Sequence, residues 1–129
     1  MLLVMKQLLV KLENLFSRKI WMLLAFAWGI LVFIGCSLPG RDLPKVDLLD
    51  NVDKIVHFVF FFCLVLCANF AGYCKTFIGA LLLCLLYGFG LEWYQLYFVA
   101  GRSFDVWDGV ADTLGGMCAW WTLQRNLSS

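Results

Sequence analysis

Apolar residues in this chain come in long runs separated by short charged stretches. No acidic or basic side chain occurs from Ile20 through Gly40. A second run, Ile55–Tyr73, contains His57 but no Asp, Glu, Lys or Arg. A third extends from Thr76 to about Ala100, with Glu92 and Gln95 in its second half. Each is long enough for the roughly 20 residues that a helix needs to cross a bilayer. The pattern predicts membrane-spanning helices at about 20–38, 55–73 and 76–98. A fourth, at 104–124, is the least apolar, because Asp105, Asp108 and Asp112 leave only Thr113–Leu123 uninterrupted. Trp120 and Trp121 nevertheless stand where an interfacial aromatic belt belongs. Gly109, Gly115, Gly116 and Ala119 would let neighbouring backbones approach closely. In residues 1–19, Lys6, Lys11, Arg18 and Lys19 are scattered among leucines, the composition of a helix lying on a membrane surface. The expected fold is therefore all-α: a polytopic four-transmembrane-helix bundle (20–124) with an N-terminal amphipathic interfacial helix (1–19) and a short tail (125–129).

Composition agrees with the pattern. Hydrophobic residues make up 63% and charged residues 15% of the 129, and the mean hydropathy is +0.85. A soluble domain of this length has no interior large enough to hide so much apolar surface. The net charge is +1 and no basic patch points to nucleic acid. The six cysteines fall in or beside apolar runs and read as packing residues. Cys63 and Cys67 share a helical face but have no further ligand near in sequence. Leu31–Cys36 loosely resembles a lipoprotein cleavage box, yet the preceding segment is long and Phe33 is bulky, so a retained first helix is expected. With four spans, Lys6, Lys11, Arg18, Lys19, Lys75 and Arg125 lie on one side and Arg41, Lys45, Lys54 and Arg102 on the other. The positive-inside rule then puts both termini in the cytoplasm of a multi-pass cell (inner) membrane protein.

In that topology the unusual polar residues collect on the outer side. Asp53, Lys54 and His57 open the second span, Glu92 and Gln95 close the third, and Arg102, Asp105, Asp108 and Asp112 lead into the fourth. Gly88, Glu92 and Gln95 have helical spacing, as do Asp105, Asp108 and Asp112, so each set shares one face. A carboxylate isolated in hydrocarbon costs roughly 2.5–3.5 kcal/mol by insertion scales. These groups should therefore face one another, a cation or a water-filled outward cleft. His57, Glu92 and Asp108 are the candidates for acid–base chemistry. Asp53, Lys54, Gln95, Arg102, Asp105 and Asp112 are the candidates for ligand contact. The acidic stretch Asp42–Asp53 reads as a solvated loop that Pro39 and Pro44 could hold over the cleft as a lid. Arg102 is expected to neutralise the carboxylates of Glu92 and Asp108.

Asp53-Lys54-Ile55-Val56-His57, Glu92-Trp93-Tyr94-Gln95, Arg102-Ser103-Phe104-Asp105 and Asp112-Thr113-Leu114-Gly115 together closely resemble the VanZ-like membrane protein family. The family pattern is Asp-Lys-x-x-His, Glu-x-x-Gln, Arg followed by Asp, and Asn-x-x-Gly, and the likeness runs from about Ser37 to Trp121. Asp112 departs from the asparagine often found there. The resemblance implies a multi-pass membrane protein and a link to resistance against the glycopeptide teicoplanin.

Three functional classes remain open from the residues. An outward site could act on or bind an envelope-precursor or lipid-headgroup ligand, with Arg102 and Lys54 holding an anionic group. The chain could be a ligand-binding or export component, which four short helices would support only as a homo-oligomer. The polar residues could also be purely structural, tying helices together. No cofactor is expected. A divalent cation on Glu92, Asp108 and His57 suits those donor types but has no sequence motif behind it. The expected partners are membrane lipids.

Overall fold

A computed structural model describes residues 1–39 and 49–127 of the chain. All regular structure among the described residues is helical: α1 (Leu2–Glu13), α2 (Arg18–Cys36), α3 (Leu49–Phe70), α4 (Phe77–Phe98) and α5 (Val106–Leu127). Arg41, Lys45 and most of the expected Asp42–Asp53 lid lie outside the described residues.

Local chemistry sets the helix ends. The Ser17 hydroxyl accepts from the Ile20 N–H at 3.4 Å and starts α2. Thr76 does the same for α4 through Gly79, at 3.1 Å. Helix α3 stops in a Schellman turn, where Tyr73 N–H donates to the Ala68 carbonyl and Gly72 N–H to that of Asn69. Gly72 supplies the required left-handed conformation, with φ +91°. From the start of α2, Arg18 Nε donates to the Ala71 carbonyl at 2.7 Å, so a guanidinium covers the C-terminal end of α3.

Among the described residues, three helices are long and apolar enough to cross a membrane: α2, residues 52–70 of α3, and α4. Helix α5 has comparable length, at 22 residues, without comparable hydropathy. Yet α5 packs on three of the other four helices, α1, α3 and α4. It packs chiefly against α3 and then α4, which barely touch each other, while α2 packs on α3 and is tied to α4 by Tyr87–Gly29 and Gln95–Cys36 hydrogen bonds. It also runs the length of α3. Asp105, just before α5, meets Lys54 near the start of α3, and Trp120 Nε1 and Gln124 Nε2 donate to the Lys75 carbonyl beyond its end.

Close approach makes this packing work. A Cβ on Gly115 would collide with the Phe58 carbonyl of α3, and one on Gly116 with Cys84 Sγ of α4. The main core joins Val32, Phe61, Leu64, Val65, Ala80, Cys84 and Ala119. A second cluster near the chain's first turn joins Trp21, Phe70 and Leu123, with Leu9 of α1 packed against it. Trp21 and Trp28 are thus packing residues more than belt anchors: Trp21 is buried and donates to the Glu13 carbonyl, and Trp28 donates to that of Phe60. Trp93, Trp107 and Trp121 remain exposed.

Candidate functional site

The start of α3, the end of α4 and the start of α5 bring their polar residues to one end of the bundle. Burial divides them into a floor and a rim. His57, Glu92, Gln95, Asp108 and Asp112 are all buried, with Glu92 and Asp112 at 0% exposure. Asp53, Lys54, Arg102 and Asp105 are half-buried around them.

On the floor, His57 Nδ1 lies 2.9 Å from Asp112 Oδ1. A carboxylate in that position holds a proton on Nδ1, leaving Nε2 of the neutral ring with its lone pair. Nε2 faces Asp108 Oδ2 at 3.8 Å, beyond hydrogen-bond distance. Asp112 also approaches Gly88, where a Cβ would stand 2.9 Å from Oδ2. Glu92 does not pair with Arg102 as expected: its Oε2 accepts the Asp105 backbone N–H at 2.9 Å. Arg102 points the other way, towards Asp53 Oδ2 at 3.6 Å and the Leu38 carbonyl at 3.4 Å. Lys54 takes the role expected of Arg102, at 3.6 Å from Asp108 Oδ1 and 3.4 Å from Asp105 Oδ2. The reason is register, since Lys54 lies one turn before His57 and faces α5, whereas Arg102 sits in the α4–α5 connection beside α2.

Asp105 is a junction. Its Oδ1 accepts the Trp107 N–H at 2.8 Å, which makes it the N-cap of α5, while its own N–H is held by Glu92. Asp105 preceding a helix with Asp108 in its first turn is a start signal readable in the sequence. Gln95 is a tie between helices, its Nε2 donating to the Cys36 carbonyl of α2 at 3.0 Å. The contributions of Cys36 and Leu38 are backbone carbonyls, which leave no side-chain signal to read.

Three carboxylate oxygens on the floor are buried without a hydrogen-bond partner: Glu92 Oε1, Asp108 Oδ1 and Asp112 Oδ2. Donors from three sequence-distant residues also converge, since Asp53, His57 and Asp108 each offer one ligand atom within 4.8 Å of the others. Separately, an apolar crevice of about 760 Å³ lies between α2 and α4 over α3, lined by residues such as Met22, Phe26, Phe33, Leu64, Leu83 and Tyr87. It is the larger of the two described cavities, but none of the ionisable floor residues lines it.

Apolar spanning helices around a buried ionisable cluster define an integral membrane protein. The chain belongs to the VanZ/LLP1 family, whose sequence profile matches residues 3–125. Comparison with curated proteins and with solved structures returns no match.

Proposed function

We propose that the polar cluster binds or acts on the headgroup of a cell-envelope precursor or membrane lipid, from the outer side of a four-span bundle with both termini cytoplasmic. The observation that supports this most is the set of unpartnered oxygens on Glu92, Asp108 and Asp112. A buried acceptor without a donor costs about 1–3 kcal/mol. Ionisable groups at membrane depth usually serve a ligand, ion or proton path. A headgroup carrying hydroxyl or amino donors would satisfy those oxygens, while Lys54 and Arg102 at the rim suit its phosphate. The apolar crevice offers room for the tail of such a lipid. It extends along α2 from Met22 to Phe33, about 16 Å of helix. Phe33 in turn packs on Tyr94, one residue before Gln95, with ring centroids 4.8 Å apart. Within this reading His57 and Asp108 are the acid–base pair available for chemistry, and altered susceptibility to teicoplanin is the expected cellular effect.

A structural reading also has an observation in its favour. Lys54–Asp105, Arg102–Asp53, His57–Asp112 and Gln95–Cys36 all tie separate segments together. The two readings part on three near-isosteric variants. His57→Gln, Glu92→Gln and Asp108→Asn should accumulate in the membrane at wild-type levels, yet lose both glycopeptide susceptibility changes and lipid that co-purifies with the detergent-extracted chain. Loss of phenotype and lipid only in proportion to folded protein, across all three, would overturn the headgroup reading in favour of the structural one.

A further inference from the structure

We infer that Asp53, His57 and Asp108 form a divalent-cation site, with Asp112 orienting the imidazole. The inference does not depend on the headgroup reading.

Charge balance is the first reason. Among the described residues, five carboxylates (Asp53, Glu92, Asp105, Asp108 and Asp112) gather around two permanent cations, Lys54 and Arg102, and one imidazole. Three of those acids are buried, where carboxylates persist only if paired, protonated or bound to a metal. Both cations stand at the rim. Among the described residues the floor acids meet only two positive groups, both from α3: the His57 imidazole and, at 3.6 Å from Asp108 Oδ1, the Lys54 ammonium.

Donor geometry is the second. The His57, Asp53 and Asp108 ligand atoms already lie within 4.8 Å of one another. Neighbouring donors around a small divalent ion with bonds near 2.1 Å are about 3–4 Å apart, so slight closure suffices. Asp108 is 4% exposed, and its Oδ1 has no hydrogen-bond donor. Its one charged neighbour, the half-buried Lys54 ammonium, stands 3.6 Å away, too far to donate a hydrogen bond, so the oxygen keeps a lone pair for a bound cation.

The third is the imidazole. Metal-bound histidines characteristically give their other ring N–H to a carboxylate, which fixes the tautomer and raises the basicity of the bonding nitrogen. Asp112 Oδ1 at 2.9 Å from Nδ1 stands in that relation to His57 and turns Nε2 towards Asp108. Glu92, which the sequence suggested as a ligand, gives its Oε2 to the Asp105 backbone and is not among the converging donors, where Asp53 stands instead. Two carboxylates with one imidazole suit Mn²⁺ or Zn²⁺, and one or more open positions would remain for water or a phosphate oxygen.

The probe is Mn²⁺ added to the full-length chain in lipid nanodiscs after chelator treatment, followed by electron paramagnetic resonance. The wild type should bind a single ion with nitrogen coupling from one imidazole. His57→Gln should abolish that coupling, and Asp53→Asn and Asp108→Asn should each weaken binding by about tenfold or more. Asp112→Asn should retain the coupling and weaken binding about 10–100-fold. Glu13→Gln, at the opposite end of the bundle, should bind as the wild type does. Absence of nitrogen coupling in the wild type overturns the site without recourse to any variant. So does equal loss in Glu13→Gln and Asp108→Asn, which marks diffuse surface binding. Lipid analysis of the same preparations separates the two proposals: lipid without Mn²⁺ coupling removes the cation site alone, and coupling without lipid removes the headgroup reading alone.

Discussion

Asp105 shows how much one side chain can hold at this end of the molecule. It caps α5 with one oxygen, meets Lys54 with the other, and anchors Glu92 through its own N–H. The Lys54 pair is half-exposed at 3.4 Å and contributes little by itself, under about 1 kcal/mol. The cap matters more. Asp105→Ala should lower stability by about 1–2 kcal/mol, and Asp105→Ser should recover most of that loss because serine also caps. Thermal unfolding in detergent measures both. If the two variants are equally destabilised, the cap is not what Asp105 contributes. From its acidity and spacing Asp105 reads as a ligand contact, and the structure adds its place as the cap of α5. His57 and Asp112 were legible as facing groups from spacing alone. Which cation would serve which acid was not, since it depends on where the α4–α5 connection lies relative to α2.

At the scale of elements, the informative feature is that the most polar of the long helices packs most extensively, joining α3 to α4. Run lengths made α2, α3 and α4 readable, with α3 reaching further towards the chain's start than the apolar run itself. Helix α5 was readable less from hydropathy than from Gly115 and Gly116, whose spacing forecast close contact but not its partners. Gly115→Ala and Gly116→Ala should each destabilise the chain by about 1–3 kcal/mol, because the added methyl meets the α3 backbone or Cys84. Gly90 provides the contrast, with nothing within 4 Å of a Cβ there. Gly90→Ala should be neutral or stabilise α4 by about 0.5–1 kcal/mol. Parallel melts of the three variants test this, and a stable Gly115→Ala would mean that α5 sits farther from α3 than the structure places it.

For the whole molecule, the two ends differ in what they gather. One holds the ionisable cluster, and the other holds Arg18, Lys75 and Glu13 near the α3–α4 turn, with Lys75 3.7 Å from Glu13. Reporter fusions after Lys75, Arg102 and Ser129 should therefore read inside, outside and inside. An outside signal at Ser129 would leave α5 re-entrant and remove the four-span proposal. The extensive packing of α5 also bears on the order of events during synthesis. Aspartate near the middle of a span costs about 2.5–3.5 kcal/mol on entry into lipid. Helix α5 carries Asp108 and Asp112 and would enter lipid poorly alone, whereas α3 and α4 can enter by their own hydropathy. They emerge from the ribosome first and, although they barely touch each other, each carries part of a polar berth, His57 on α3 and the small Gly88 face on α4. If α5 spans as proposed, the cluster would then serve as the docking signal for the last helix. On this route a helix too polar to choose the membrane is admitted by the helices that preceded it.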